Sequence, residues 1–325
     1  MKLLFRILLS VVLLLVLSGL GGYFYVQQKF APPVNQLTIT GLPATGNLRW
    51  WADATARPVV PHAALLVPVT LPNCARTFYL QLDTGAPYTV FYAHQLGVLR
   101  SHYPALNAVL HVSQDTVRNC RFSLGGAAVL MRRTKVLANG RPELPTDSLA
   151  PYIIGTLGTD VLEGRVLVLD YARNRFTLGT QVPAGLGRRA EFVPLTFTNR
   201  RVLLEAGLQG RSEQLLFDSG SSAHALVTSQ ANWQQMATPG APAHTTSTNS
   251  WGKKLLVHTV PTDAQLRLGT TSLPLRTVTY IEGMNLMQQT LMRFSGMAGM
   301  LGNEPFASGT LILDVQGGRF GVVRR

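Results

Sequence analysis

Two short segments of the chain carry the same chemically useful residues in the same order. Residues 83–85 read Asp-Thr-Gly and residues 218–220 read Asp-Ser-Gly, and each segment follows a run of apolar residues. The chain has only 16 acidic residues, so two Asp residues in matching frames indicate a duplication. Two carboxyl groups a few ångströms apart share one proton, because both cannot ionise there. One group can then deprotonate a water while the other protonates a carbonyl oxygen. The pattern predicts a paired-carboxylate hydrolytic site at Asp83 and Asp218.

The duplication continues beyond the two acidic motifs. A Leu-Gly pair and a later Asp recur in the same order, at Leu157-Gly158 and Leu301-Gly302 and at Asp170 and Asp314. Short helical segments are predicted near residues 92–99 and 228–236, at similar distances after each motif. A repeat unit of this length predicts a duplicated lobe rather than a solenoid. We interpret Asp170 and Asp314 as structural, because each precedes a short turn between strands.

These motifs together resemble the two-lobed aspartic proteases of the pepsin and retropepsin superfamily. Residues 83–86 resemble the retropepsin form of the active-site motif, and residues 218–221 resemble its bilobal partner. The Leu-Gly pairs resemble the second signature of that family, which passes behind each catalytic loop. The likeness covers roughly residues 62–325. It implies an all-β fold, in the form of a two-lobed pepsin-like double β-barrel with an interlobe cleft.

The resemblance also implies a role for each motif residue. Asp83 and Asp218 would be catalytic and would activate a water that hydrolyses a peptide bond. The supporting residues of the two active-site loops would be Thr84, Gly85, Ser219, Gly220, Leu157, Gly158, Leu301 and Gly302. By the same resemblance, the hydroxyls of Thr84 and Ser219 would cross-brace the two loops. The chain is therefore interpreted as a monomeric aspartic endopeptidase, whose peptide or protein substrate lies extended across both lobes. No cofactor is expected.

Other readings of the same residues remain open. Pepsin-like enzymes close a flap hairpin over the substrate, but residues 107–119 contain neither a glycine nor a clear equivalent of the flap Tyr. The alternative is a non-catalytic peptide-binding protein that uses the same cleft. Ser221, Ser222 and His224 suggest a serine hydrolase, yet no Gly-x-Ser-x-Gly elbow surrounds them. His94 and His224 follow the two motifs, where they could either tune the site or occupy surface helix positions.

The composition excludes several other classes of function. The net charge is +13, but the Lys and Arg residues are scattered and form no basic stripe interleaved with aromatic residues. This argues against nucleic-acid binding and favours a basic surface that faces an anionic envelope or membrane. The sequence has no Cys-His spacing suited to zinc and no phosphate-binding glycine motif, so neither a metal nor a nucleotide is expected.

The N-terminus carries an apolar run, residues 7–26, preceded by Lys2 and Arg6. A run of this length can span a bilayer, and residues 1–28 are interpreted as a membrane anchor, a single transmembrane helix, or as a signal segment. The two basic residues would stay in the cytoplasm and leave the body outside it, in the periplasm or cell envelope. Signal cleavage followed by secretion is the alternative.

The remaining organisation follows from composition. Residues 29–61 are rich in Pro, Thr and Ala and are interpreted as a linker or N-terminal extension. Residues 62–185 and 186–325 are predicted to be the N-terminal and C-terminal aspartic protease lobes. Both cysteines fall in the first lobe, Cys74 in the turn before the strand that leads to Asp83 and Cys120 in a later polar turn. An oxidising compartment would permit a disulfide between them. A free thiol is the alternative.

Overall fold

The computed structural model describes residues 31–56, 58–250, 253–283 and 297–323, together with scattered residues between 14 and 25. The chain divides into two compact units, Met1–Val34 and Asn35–Arg325. Most of the predicted anchor or signal segment, residues 1–28, lies outside the described residues. Among the residues that are described, no helix is both long enough and apolar enough to cross a membrane.

The described part of Asn35–Arg325 is built mainly from strands, which confirms the prediction of an all-β fold. The first half contains β1 Leu37–Thr40, β2 Ala44–Asn47, β3 Arg49–Asp53, β4 Val60–Thr70, β5 Thr77–Leu82, β6 Val90–Tyr92, β7 His111–Ser113, β8 Thr116–Leu124, β9 Ala127–Leu137, β10 Ile153–Leu157, β11 Val166–Asp170 and β12 Arg175–Gly179. The second half contains β13 Glu191–Thr198, β14 Arg201–Leu208, β15 Arg211–Phe217, β16 Leu226–Thr228, β17 His244–Ser250, β18 Lys253–Pro261, β19 Gln265–Leu268, β20 Thr271–Pro274, β21 Thr277–Glu282, β22 Met297–Leu301, β23 Thr310–Asp314 and β24 Arg319–Val323. The helices are α1 Ala93–His102, α2 Ala184–Gly187 and α3 Gln230–Met236.

The strands form two large sheets. One has the order β1-β9-β6-β10-β5-β4-β8-β7, with β3 paired to β4. The other contains the strip β13-β24-β23-β11-β12-β2, which places three strands from each half of the chain side by side. Phe176, Phe217 and Phe320 are fully buried side chains of the main core. This shared strip ties the two halves of the chain together.

The internal repeat is visible in the strand pairing. In the first half, β10 lies between β5, to which it is parallel, and β6, to which it is antiparallel. In the second half, β22 lies in the same way between β15 and β16. Helix α1 follows β6 and helix α3 lies just after β16, so the predicted short helices are confirmed. Each acidic motif therefore follows the same strand of an equivalent unit.

The predicted linker over residues 29–61 needs correction, because residues 37–53 supply three strands. Strand β1 pairs with β9, β2 with β12, and β3 with β4. Leu37, Ala44 and Leu48 are buried in the core, and Trp50 stacks on Tyr171 with 5.7 Å between the ring centroids. Short strands that bury alternate residues hold this stretch in both sheets despite its Pro-rich and Thr-rich composition.

The predicted disulfide between Cys74 and Cys120 is wrong, because both thiols are free. Cys120 lies within β8 rather than in a turn, and its side chain is fully buried in the core. Cys74 lies in the turn between β4 and β5 and is half-buried. Burial raises the pKa of the Cys120 thiol to about 12, so this side chain behaves as a small apolar core residue.

Candidate active site

Both acidic motifs begin where a buried strand ends. Strand β5 buries Phe78, Leu80 and Leu82, and Asp83 is the next residue. The backbone N–H of Asp83 donates to the Leu157 carbonyl oxygen at 3.1 Å. In the second half, β15 ends at Phe217, and the N–H of Asp218 donates to the Leu301 carbonyl oxygen at 2.9 Å. The two loops are therefore anchored in the same way, each by its own Leu-Gly strand.

The two loops also brace each other through their hydroxyl residues. The N–H of Thr84 donates to Ser219 Oγ at 3.0 Å, and the N–H of Ser219 donates to Thr84 Oγ1 at 2.9 Å. Each hydroxyl then donates across to a carbonyl of the other half, Thr84 to Phe217 at 2.8 Å and Ser219 to Leu82 at 3.0 Å. Both side chains are buried, so these four bonds lie out of competition with water.

The motif glycines allow each loop to approach the carboxylate of the other. A Cβ atom on Gly85 would lie 2.7 Å from Asp218 Oδ1, and one on Gly220 would lie 2.5 Å from Asp83 Oδ1. Both distances are too short for a real contact, so any side chain at either position would displace the opposite carboxyl group. The absence of a side chain is therefore what lets the two acids converge.

The glycines of the Leu-Gly pairs have a second packing role behind the loops. A Cβ atom on Gly158 would lie 2.4 Å from the carbonyl carbon of Tyr88, and one on Gly302 would lie 2.1 Å from the carbonyl oxygen of His224. Leu157 and Leu301 are buried beside them. All eight supporting residues predicted from the sequence therefore contact or anchor one of the acidic loops.

Each carboxyl group is held by its own loop and remains accessible from outside. The N–H groups of Gly85 and Ala86 donate to Asp83 Oδ1 at 2.9 and 3.1 Å. The N–H of Gly220 and the hydroxyl of Ser221 donate to the Asp218 carboxylate, both at 2.9 Å. Asp83 and Asp218 are half-buried and both line the same cleft. Neither acid is covered by packed apolar side chains.

The electrostatics of the pair match the sharing of one proton. Burial, the negative charge of Asp218 and a hydrogen bond with the Asp218 carboxyl group together raise the pKa of Asp83 to about 7, and burial contributes most. The two backbone donors to Asp83 act in the opposite direction but are weaker. Asp83 therefore holds a proton at weakly acidic pH, where an ordinary aspartate would have lost it.

The acids lie in a cleft of about 1100 Å³, which is large enough for several residues of an extended peptide. The cleft is lined by Gln81, Asp83, Gly85, Ala86, Pro87, Tyr88, Val90, Tyr92, Leu137, Ala138, Asn139, Thr156, Asp218, Gly220 and Ser221. Sequence reasoning missed Gln81, Thr156 and Tyr92. Only the alternation of residues around Asp83 could have pointed to Gln81, which lies two positions earlier on the same face of the strand.

The hairpin of β7 and β8 covers the part of the first half in which a pepsin-like flap is expected. It turns at Gln114 and Asp115, and the N–H of Val136 donates to the carbonyl oxygen of Asp115. Within the described part of the chain, none of its residues lines the cleft. Residues 137–139 form part of the wall near Asp83 instead. This geometry agrees with the lack of a clear flap motif in the sequence of residues 107–119.

The serine-hydrolase reading finds no support in the hydrogen bonds of its residues. The Ser221 hydroxyl donates to Asp218, and the Ser222 hydroxyl donates to the Ser219 carbonyl. His224 Nδ1 is paired with the hydroxyl of Thr279 at 3.3 Å. Each serine hydroxyl is therefore committed to the second acidic loop, and none is paired with the imidazole.

The two histidines that follow the motifs differ in position. His224 is half-buried behind the second loop, where burial lowers the pKa of its imidazole and the charge of Asp218 opposes that shift. His94 lies on α1, and its Nδ1 pairs with the Gly140 carbonyl oxygen at 3.0 Å. Only His224 is thus close enough to the dyad to be influenced by it.

The other repeated acids have structural partners. Asp170 accepts the N–H of Arg173 at the turn after β11, and Asp314 binds the guanidinium of Arg319 at 2.6 Å. Asp160, which the repeat leaves without a matching acid, accepts both the N–H and the hydroxyl of Thr89. In the described ranges no three His, Cys, Asp or Glu side chains cluster as a metal site requires.

Comparison with known proteins gives no independent assignment. No protein-family model matches the chain, and no curated protein matches it. The functional interpretation therefore depends on the geometry of Asp83 and Asp218 and on the motifs that hold them.

Proposed function

We propose that this protein is an aspartic endopeptidase that hydrolyses peptide bonds with Asp83 and Asp218. The observation that carries the proposal is the convergence of the two acids in one open cleft, where two cross-braced loops bring each carboxyl group against the motif glycine of the other loop. The repeated units on two large sheets support a two-lobed, pepsin-like double barrel as the framework.

The chemistry follows from the proton on Asp83. A water between the two acids gives a proton to the Asp218 carboxylate, and its oxygen bonds to the peptide carbonyl carbon. The carbonyl oxygen takes the proton of Asp83, which yields a neutral tetrahedral diol. The C–N bond then breaks as the amine nitrogen takes the proton from Asp218, and Asp83 regains a proton from the diol. Two acids suffice because each donates once and accepts once.

A peptide-binding protein without catalysis is the second candidate function. It is favoured by the described hairpin β7–β8, which does not contribute to the cleft lining. A binding protein would have no need for the shared proton, whereas hydrolysis requires it. Replacement of the acids by Asn therefore separates the two functions: binding persists in both cases, but cleavage is lost only from an enzyme.

The test uses the purified protein with an unfolded protein substrate at weakly acidic pH. Asp83→Asn and Asp218→Asn are each expected to lower the rate of cleavage by at least about a thousandfold, since each removes one of two groups that act as a unit. Asp170→Asn, which lies at a turn outside the cleft lining, is the matched control and should keep its rate. Equal rates in all four proteins would remove the pair from the mechanism.

The location is a separate proposal, supported by the apolar run at residues 7–26 and the basic residues before it. We propose a single-pass anchor with the peptidase body in the cell envelope, acting as a monomer. Expression of the full chain and of a form beginning at residue 31, followed by membrane fractionation, tests it. Retention of only the full chain is expected, whereas release of a shortened mature protein would favour secretion.

A further inference from the structure

The cleft wall beside Asp83 carries a row of polar side chains on three neighbouring strands. Gln81 of β5 pairs with Thr156 of β10, and Thr156 pairs in turn with Val90 of β6. Tyr92 lies two residues beyond Val90 and so points to the same face of the sheet. All four side chains line the cleft. We call Gln81, Thr156 and Tyr92 the polar row.

The second half of the chain has apolar residues at the matching positions of its own ladder. Leu216 of β15 pairs with Met300 of β22, and Met300 pairs with Val227 of β16. The acidic motifs and Leu-Gly pairs fix the correspondence, so Leu216 matches Gln81 and Met300 matches Thr156. The same fold is therefore built with Leu and Met at these two positions, and it does not require the polar residues of the first half.

The polar row has hydrogen-bonding capacity that the protein itself leaves open. The hydroxyls of Tyr92 and Thr156 lie 2.6 Å apart, so one O–H is used between them and the other remains available. The amide of Gln81 is half-buried and has no hydrogen-bond partner among the described residues. Among the described residues that line the cleft, only Asp83 and Asp218 are charged. The wall therefore offers donors and acceptors without a counter-charge.

On the basis of the proposed peptidase function, we propose that the polar row selects an uncharged hydrogen-bonding side chain, an amide or a hydroxyl, next to the cleaved bond. An apolar side chain there would displace water from the Gln81 amide and from the hydroxyl pair of Tyr92 and Thr156, and it would return no hydrogen bond. That loss corresponds to about a tenfold to hundredfold preference in kcat/KM for the polar side chain. The preference is carried by binding contacts beside the dyad and not by the dyad.

The test is a set of peptides that differ only at the two residues flanking the cleaved bond. The wild-type protein should prefer Asn, Gln, Ser or Thr over Leu or Met at one of these positions by about tenfold to hundredfold. The double variant Gln81→Leu, Thr156→Val should lose most of this preference, and Tyr92→Phe should lose part of it. The matched control Met300→Leu changes the corresponding strand position of the second half and should keep the preference. Thermal unfolding verifies that each variant is folded.

Two outcomes overturn the inference directly. One is a preference of the wild type for apolar or charged residues at both positions, and the other is an unchanged polar preference in the double variant. In either case cleavage itself would still support the peptidase.

The same peptides are also tested for binding to Asp218→Asn, which separates specificity from hydrolysis. Preferential binding of polar peptides that depends on Gln81 and Thr156 supports the inference, even if the wild type cleaves nothing and the peptidase proposal falls. Absence of both cleavage and binding overturns both proposals.

Discussion

Replacing Asp83 by Asn should stabilise the folded protein at neutral pH while it abolishes cleavage. The Asn oxygen can accept the same N–H groups from Gly85 and Ala86 that bind Asp83 Oδ1. The Asn NH₂ group can donate to Asp218, as a protonated Asp83 carboxyl group can. Asn therefore imitates the protonated form, and it cannot ionise when the pH rises.

The size of the effect follows from the raised pKa. The pKa of Asp83 rises from its ordinary value of 3.8 to about 7 in the folded protein, so the folded state binds this proton more tightly than the unfolded chain does. The stability that protonation gives is complete below about pH 4 and is lost progressively up to about pH 7. At about 1.4 kcal/mol for each tenfold change in proton affinity, the loss is about 2 to 4 kcal/mol, where the lower figure allows for water in the cleft.

Denaturant unfolding of the wild type and of Asp83→Asn at a series of pH values measures this difference. The two proteins should have similar stabilities at about pH 4, and the variant should be more stable by about 2 to 4 kcal/mol at about pH 8. Asp53→Asn is a control in which the stability difference from the wild type should change with pH in the opposite direction, because hydrogen bonds from Thr55 lower the pKa of Asp53. A stability difference between wild type and Asp83→Asn that does not change with pH would refute the reasoning.

Three further outcomes are expected. Ser219→Ala leaves the Thr84 amide without its buried acceptor and should lower the free energy of unfolding by about 1–3 kcal/mol. Ser219→Thr, which copies the residue of the first motif, should retain this hydrogen bond. Equal losses of stability in both variants would contradict the bracing role. The rate of cleavage should fall about tenfold for each pH unit above about 7, as Asp83 loses its proton, and a rate that continues to rise there would show that this proton is not required. In the native protein, a thiol reagent should label Cys74 but not Cys120. If neither thiol reacts until the protein is reduced, the two cysteines form a disulfide and the assignment of free thiols is wrong.

The active-site loops could be predicted from the sequence because their determinants are local. An apolar strand followed by Asp, a hydroxyl residue and Gly specifies one loop, and the second copy in residues 218–220 specifies its partner. The long-range cross-bracing between Thr84 and Ser219 required the resemblance to a known family as well, since nothing local brings residues 135 positions apart together.

The remaining features depend on partners that are distant in the sequence. The strands within residues 37–53 are short and broken by Pro and Gly, and they form because β4, β9 and β12 offer edges far along the chain. Cys120 resembled a turn residue because Arg and Asn surround it, yet the register of β8 against β9 turns its side chain inward. The polar row could not be identified because it is created by the register of three strands.

The most direct test of the dyad is cleavage in water enriched in heavy oxygen, followed by mass spectrometry of the products. Solvent oxygen in the new carboxyl groups of the fragments verifies that the wild type hydrolyses the peptide bond, and the comparison with a variant of the dyad assigns the attacking water to Asp83 and Asp218. Folded Asp218→Asn should release no fragments. Fragments from Asp218→Asn at the wild-type rate, or no fragments from the wild type between about pH 4 and about pH 7, would contradict the account.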